Sequence, residues 1–291
     1  MRVLIPALLI VAAVTLFALG ESLFPGVMDW AVTQQRAFQN EMAGAVRAIR
    51  SGAPGGWAAL LFAAGAYGLV HAAGPGHGKY LIGGVGIATS IPTSKMIALA
   101  VSSSLAQALW AVIIVYGGFF VFQLSADRMT VLAEDWLAPA SYVAIGTVGA
   151  VLIVRGTLSM MQARPASHDH YSCNHAHGPD PDQVAGLTSF RDAAVLVASI
   201  AIRPCTGAIF LLVIAWQLDI KLAGFVAVVV MGLGTAILTS SVAISSVALR
   251  GMALFSGGRA GGVAVAASTL QIIAGMLVLW ISLTLLSISL P

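Results

Sequence analysis

Apolar runs alternate with short polar connectors along the whole chain. The runs fall near residues 3–20, 57–73, 96–122, 136–154, 193–218, 222–249 and 262–290. A helix needs about 20 residues to cross the roughly 30 Å hydrocarbon core of a bilayer, so each run is a candidate transmembrane helix. The pattern predicts an all-α polytopic membrane protein with six core helices and an N-terminal hydrophobic segment.

The first run has two readings. Arg2, an apolar stretch and then Ala18-Leu19-Gly20 suit either a retained seventh span or a cleaved secretory signal peptide, and both leave the six core helices in one orientation. Residues 21–56 follow as an external segment in which Trp30, Phe38, Met42, Val46 and Ile49 alternate with Arg36, Arg47 and Arg50. That mixture suits an amphipathic helix lying on the membrane surface or, the reading preferred here, a surface-packed connector, with docking of an external metal-binding partner as a further reading. The remaining organisation is a first three-helix half at 57–163, a polar loop at 164–191 and a second three-helix half at 192–291.

Composition sharpens the class. Charged residues make up 9% of the chain and hydrophobic ones 59%, against about a quarter charged in a soluble domain, which excludes a soluble enzyme. The net charge of +3 comes from 14 basic and 11 acidic residues spread over connectors, so no basic patch points to nucleic acid. Lys95, Arg155, Arg164, Arg191, Arg250 and Arg259 fall in loops on one side, whereas Arg128 and Lys221 share the other with Asp127, Glu134 and Asp135. The basic bias places the 164–191 loop in the cytoplasm of a bacterial cell, with the chain in its inner membrane and the bilayer as its first partner.

Three spans per half is an odd number, so the two halves are expected to be inverted relative to one another. Their opening helices carry matching interruptions: His71-Ala-Ala-Gly-Pro75-Gly-His77-Gly-Lys79 in the first, and Arg203-Pro204-Cys205-Thr206-Gly207 in the second. The second helices carry matching polar rows, Ser102, Ser103, Ser104 and Gln107 against Thr235, Thr239, Ser240, Ser241, Ser245 and Ser246. Small polar residues also serve plain helix packing. Paired with interrupted helices in two inverted halves, they point to a transporter's central site, because irregular backbone at membrane depth needs a cavity or protein around it.

The chemistry at the interruptions favours a transition metal. Pro75 cannot donate to the carbonyl of His71, and the flanking glycines let the chain turn so that the His71 and His77 imidazoles converge. Imidazole and thiolate suit nickel, cobalt, zinc and copper better than magnesium or calcium, and Cys205 adds a soft donor from the opposite half. Lys79 is expected to snorkel to the interface, and Arg203 to organise its helix interruption. No Asp or Glu lies well inside the core runs, so proton coupling would use histidine or the exchange of metal for protons. His168, His170, Cys173, His175 and His177 form a second, labile metal-binding tract in the polar loop.

The two blocks His71–Lys79 and Arg203-Pro204-Cys205-Thr206-Gly207-Ala208, in this order, resemble the NicO family of transition-metal permeases, which includes RcnA-type nickel/cobalt efflux proteins. The resemblance runs from about residue 57 to 290. It implies transition-metal transport, a two-half membrane fold and a histidine-containing loop between the halves, with His71, His77 and Cys205 as the positions that match the family motif. Wider members similar to zinc-uptake permeases extend the implied substrates from Ni2+ and Co2+ to Zn2+.

The expected function is thus a non-enzymatic inner-membrane permease with no resident cofactor and no phosphate-binding loop of Walker type. His71, His77 and Cys205 are the transport ligands, with Pro75, Lys79, Ser103, Gln107, Arg203, Pro204, Thr206, Thr239 and Ser240 lining the path or supporting it. The alternative is a membrane thiol-disulfide carrier using Cys205, for which only Cys173 is available as the second thiol. An intramembrane protease has neither HExxH nor a GxSG motif behind it. A metal sensor without transport differs from a permease only in flux.

Overall fold

A computed structural model of the chain describes residues 25–73, 77–122, 128, 131–162, 190–255 and 260–289. The run at 1–20, the Gly74-Pro75-Gly76 tripeptide and the His168, His170, Cys173, His175 and His177 tract all lie outside the described residues. What is described is helical, with no strand among it. The order is α1 (Pro25–Arg50), α2 (Gly56–Ala73), α3 (His77–Ala88), α4 (Thr93–Phe122), a π-helical turn (Leu132–Leu137) running into α5 (Ala138–Gln162), α6 (Phe190–Ala201), α7 (Thr206–Gln217), α8 (Lys221–Phe255) and α9 (Ala260–Ser289).

Among the described residues, five helices are long and apolar enough to cross a bilayer: Gly56–Ala73, Thr93–Val121, Glu134–Met161, Lys221–Leu254 and Val265–Ser287. A sixth crossing results if α6 and α7, bent by 67° at their junction, count as one span. The expected polytopic helical class is borne out. Outward-facing side chains such as Phe62, Ile113, Phe120, Ile237 and Leu283 are apolar and exposed, as lipid contact requires.

α3 does not appear in the run pattern, because Gly78, Lys79, Gly83, Gly84 and Gly86 dilute its hydrophobicity. It nevertheless buries Leu81, Ile82 and Val85 completely. α3 runs parallel to α8: Gly83 sits by Val242, Gly86 by Ser246, and Arg250 Nη1 donates to the Ile87 carbonyl at 2.9 Å, the numbers rising together. Running with α8, α3 extends the first run past residue 73.

α4 with α8 and α5 with α9 pair antiparallel. Tyr116 meets Gly224 and Ala108 meets Gly232 along α4 and α8. Gly146 meets Ser282, Gly149 meets Leu279 and Gly156 meets Ile272 along α5 and α9. Glycine is required at several of these crossings because backbones approach closely: a Cβ on Gly68 would fall on the Met231 carbonyl, and one on Gly149 would lie 3.0 Å from the Gly275 carbonyl oxygen. Each opening helix of one half packs against the second helix of the other: α2 and α3 on α8, α6 and α7 on α4, while the third helices pack together.

α1 does not lie across the end of the bundle; it stands antiparallel beside α2, with Ile49 against Gly56, Gln39 against Tyr67 and Gln35 against His71. Ala31, Met42, Ala45 and Val46 form its buried face, and Arg36, Asn40, Glu41 and Arg47 stay exposed. Its apolar stripe packs on α2 and α7. At the turn end of this hairpin Arg50 Nη1 donates to the Leu218 carbonyl, and Tyr116 Oη donates to the Lys221 carbonyl at 2.6 Å. Between α7 and α8, Asp219 takes the left-handed conformation (φ 56°) that closes a helix end, and its carboxylate meets Lys221 Nζ at 3.2 Å.

Candidate metal site

Two apolar clusters, one around Tyr67, Leu211, Leu212 and Met231 and the other around Leu81, Val85, Leu196 and Val278, leave a cavity where they meet. It has a volume of about 160 Å³. A water needs roughly 10–15 Å³ by the same measure, so there is room for an ion with several waters. His71 and Ala72 line it from α2, Gly78 and Lys79 from α3, Ser103, Ser104 and Gln107 from α4, Ser141 from α5, Ser199 from α6, Arg203, Pro204, Cys205 and Thr206 from the α6–α7 junction, and Thr235 and Thr239 from α8. Gln107 is 14 residues from the start of α4 and 15 from its end, which sets the cavity at mid-depth of that helix.

The α6–α7 junction is built from side chains that replace the missing helical hydrogen bonds. α6 ends at Ala201 and α7 begins at Thr206, with Cys205 as its extended N-cap residue (φ −70°, ψ 131°). Pro204 has no N–H to continue the helix. Gln107 Nε2 donates to the Arg203 carbonyl at 2.7 Å, and Trp110 Nε1 donates to the Ile202 carbonyl at 3.1 Å. Both carbonyls would otherwise be unpaired in apolar surroundings.

The two cations that line the cavity are both engaged elsewhere. Lys79 does not snorkel outward: its ammonium donates to the Ala72 and Ala73 carbonyls at 3.4 and 3.1 Å, closing the C-terminal end of α2, where helix carbonyls concentrate negative potential. Arg203 does organise its junction. Its guanidinium donates to Tyr142 Oη and to Glu134 Oε2, the latter at 3.2 Å, and lies 5.2 Å from the Tyr142 ring centroid. Glu134, assigned by the run pattern to a connector, is therefore the counter-ion of a site arginine.

His71 and Cys205, 134 positions apart, face the same cavity and interact with each other. Tyr67 links them further: its ring stacks on His71 with centroids 5.6 Å apart and planes 10° from parallel, and its hydroxyl lies 3.8 Å from Cys205 Sγ. A Cβ on Gly207 would strike the Tyr67 ring, so the glycine after Thr206 makes room for this contact. His77 opens α3 beside the cavity-lining Gly78, and its side chain lies outside the described residues. Among the described residues no three His, Cys, Asp or Glu gather as a ready-made metal cage. The donors that the described residues supply are one imidazole, one thiol and several hydroxyl and carbonyl oxygens.

Of the polar rows, Ser103, Ser104, Gln107, Thr235 and Thr239 line the cavity, whereas Ser240 does not, and Ser241 and Ser245 are exposed. Ser103 and Ser104 donate to the Ala100 carbonyl at 3.0 and 2.9 Å, and Thr239 to the Thr235 carbonyl at 2.7 Å. Spending the proton on the backbone leaves the oxygen lone pairs, which suit a cation, as the free face of each hydroxyl. Tyr67, Glu134, Tyr142, Gln35 and Gln39 escaped the sequence reading. Tyr67 alone had a local signal, lying one helical turn before His71 on the same face.

Fold and site together define a polytopic helical membrane protein with a polar cavity at the α6–α7 junction. Residues 57–172 match the family model NicO, described as high-affinity nickel-transport protein. Over 258 residues, 81% of this chain and 79% of the relative, the chain is 28% identical to a protein of Haemophilus influenzae named "Putative nickel/cobalt efflux system". No solved structure matches. The resemblance to NicO expected from the two blocks is borne out; the His71–Lys79 block lies inside the residues matched by the family model, and the Arg203–Ala208 block lies outside them.

Proposed function

We propose that this chain is an inner-membrane permease for nickel or cobalt ions, with His71 and Cys205 as transient ligands of the passing ion and His77 as a third. The observation that carries the reading is the convergence of His71 and Cys205, from opposite halves of the chain, on one polar cavity beside the α6–α7 junction. Imidazole nitrogen and cysteine sulfur are donors that favour these metals over magnesium and calcium. Two donors with weak oxygen ligands suit transport, since an ion that must leave again cannot be held by a closed four-ligand site.

The two halves act as inverted units around this cavity, and the packing of each opening helix on the second helix of the other half supports that relation. The loop at 164–191 faces the cytoplasm, where His168, His170, Cys173, His175 and His177 collect or deliver the ion. Zinc enters as the competitor to be tested, because the relative and the family description name only nickel and cobalt. The thiol-carrier reading gains nothing from the site, since among the described residues it is His71 and Tyr67 that stand beside Cys205.

Flux into proteoliposomes, measured for nickel and cobalt with zinc and magnesium as competitors, tests the function. Saturable uptake that zinc inhibits weakly and magnesium not at all is expected. Absence of flux under both polarities of an imposed proton gradient would refute the permease and leave a sensor.

A further inference from the structure

Two amides on α1 touch His71 and its stacking partner Tyr67, although α1 precedes the residues matched by the family model. Gln35 and Gln39 are four positions apart, so they share one helix face, and it is the face that α1 turns toward α2. Elsewhere that face is apolar: Ala31, Met42 and Val46 are buried on it. Polar side chains on consecutive turns of a packing stripe call for specific partners, and each has one.

Gln35 Oε1 lies 3.2 Å from His71 Nδ1. An amide oxygen accepts, so this contact favours the tautomer with its proton on Nδ1 and its lone pair on Nε2. Gln39 Nε2 donates to Tyr67 Oη at 3.5 Å, and Tyr67 in turn stacks on His71 and approaches Cys205. Both proposed donors are thus held by groups anchored on one helix.

We propose that α1 is the positioning element of the transport site, with Gln35 fixing the tautomer and plane of His71 and Gln39 fixing Tyr67 against Cys205. The proposal rests on the reading of His71 as a metal donor. Ligating histidines generally donate their second ring N–H to an oxygen, and losing that partner typically weakens metal binding about 10- to 100-fold.

The test is nickel and cobalt uptake by proteoliposomes over a range of metal concentrations, with protein content matched by immunoblot. Gln35→Leu is expected to raise the half-saturating concentration about tenfold or more while the maximal rate stays within about twofold. Gln35→Glu, whose carboxylate still accepts the Nδ1 proton, is expected to restore near wild-type half-saturation. If Gln35→Leu does not accumulate in the membrane, Gln35→Asn, one methylene too short to keep the contact, carries the same expected shift. Unchanged half-saturation in these variants beside an inactive His71→Ala protein would overturn the positioning role alone. Normal transport by His71→Ala would overturn the donor reading, and the positioning role with it.

Discussion

Arg203 Nη2 stands 3.2 Å from the carboxylate of Glu134, an ion pair that ties the α6–α7 junction to the turn before α5. It resolves the difficulty of an arginine beside a path for cations, because the pair presents little net charge to the cavity. With side chains 23% and 40% exposed, solvent screens the pair, and its coupling should be about 1 kcal/mol. Glu134→Gln is expected to raise the half-saturating metal concentration several-fold, with Glu134→Gln/Arg203→Gln recovering part of the loss. A Glu134→Gln protein with wild-type uptake kinetics would remove this electrostatic role.

The junction itself should depend on α4. Gln107→Leu and Trp110→Phe each remove one side-chain donor from a junction carbonyl. Each is expected to lower stability by about 1–2 kcal/mol, read as a fall in the midpoint of thermal unfolding in detergent. Equal midpoints for both variants and wild type would mean that water satisfies these carbonyls instead.

Helix crossings give a prediction independent of metal. Gly68→Ala puts a methyl group against the Met231 backbone and is expected to cost about 1–3 kcal/mol and reduce the protein recovered from membranes. Gly44→Ala meets nothing within 4 Å on α1 and should be neutral or stabilising by up to about 1 kcal/mol. Recovery and thermal midpoint of the two variants, measured side by side, check the contrast.

The spans and the cavity-lining residues were largely legible in the sequence, for physical reasons that differ by residue. Pro204 and the apolar runs signal themselves locally, through a missing N–H and through hydrocarbon-length hydrophobicity. Ser103, Gln107 and Thr239 stood out as polar residues in apolar helices. α3 was hidden because its glycines, needed for close packing on α8 and α9, lower the hydrophobicity that marks a span. Glu134 and Gln35 were hidden because their partners lie 69 and 36 positions away, and pairing across elements leaves no periodic trace. α1 shows both effects: its amphipathic stripe was visible, but not the surface that stripe meets.

Metal occupancy should be visible without transport. In a Cys173→Ser background, Cys205 is the remaining thiol, and cobalt at saturating concentration is expected to slow its alkylation by N-ethylmaleimide several-fold while magnesium leaves the rate unchanged. Equal alkylation rates with and without cobalt would count against Cys205 as a ligand, while leaving His71 to be judged by flux.

The most direct measurement is nickel and cobalt flux through proteoliposomes containing wild type, His71→Ala, Cys205→Ala and the double variant at matched protein content. Joint ligation of the passing ion predicts that each single variant loses most of the flux and that the double variant is little worse than either, because both remove one shared site. Flux at the wild-type level in both single variants would contradict it.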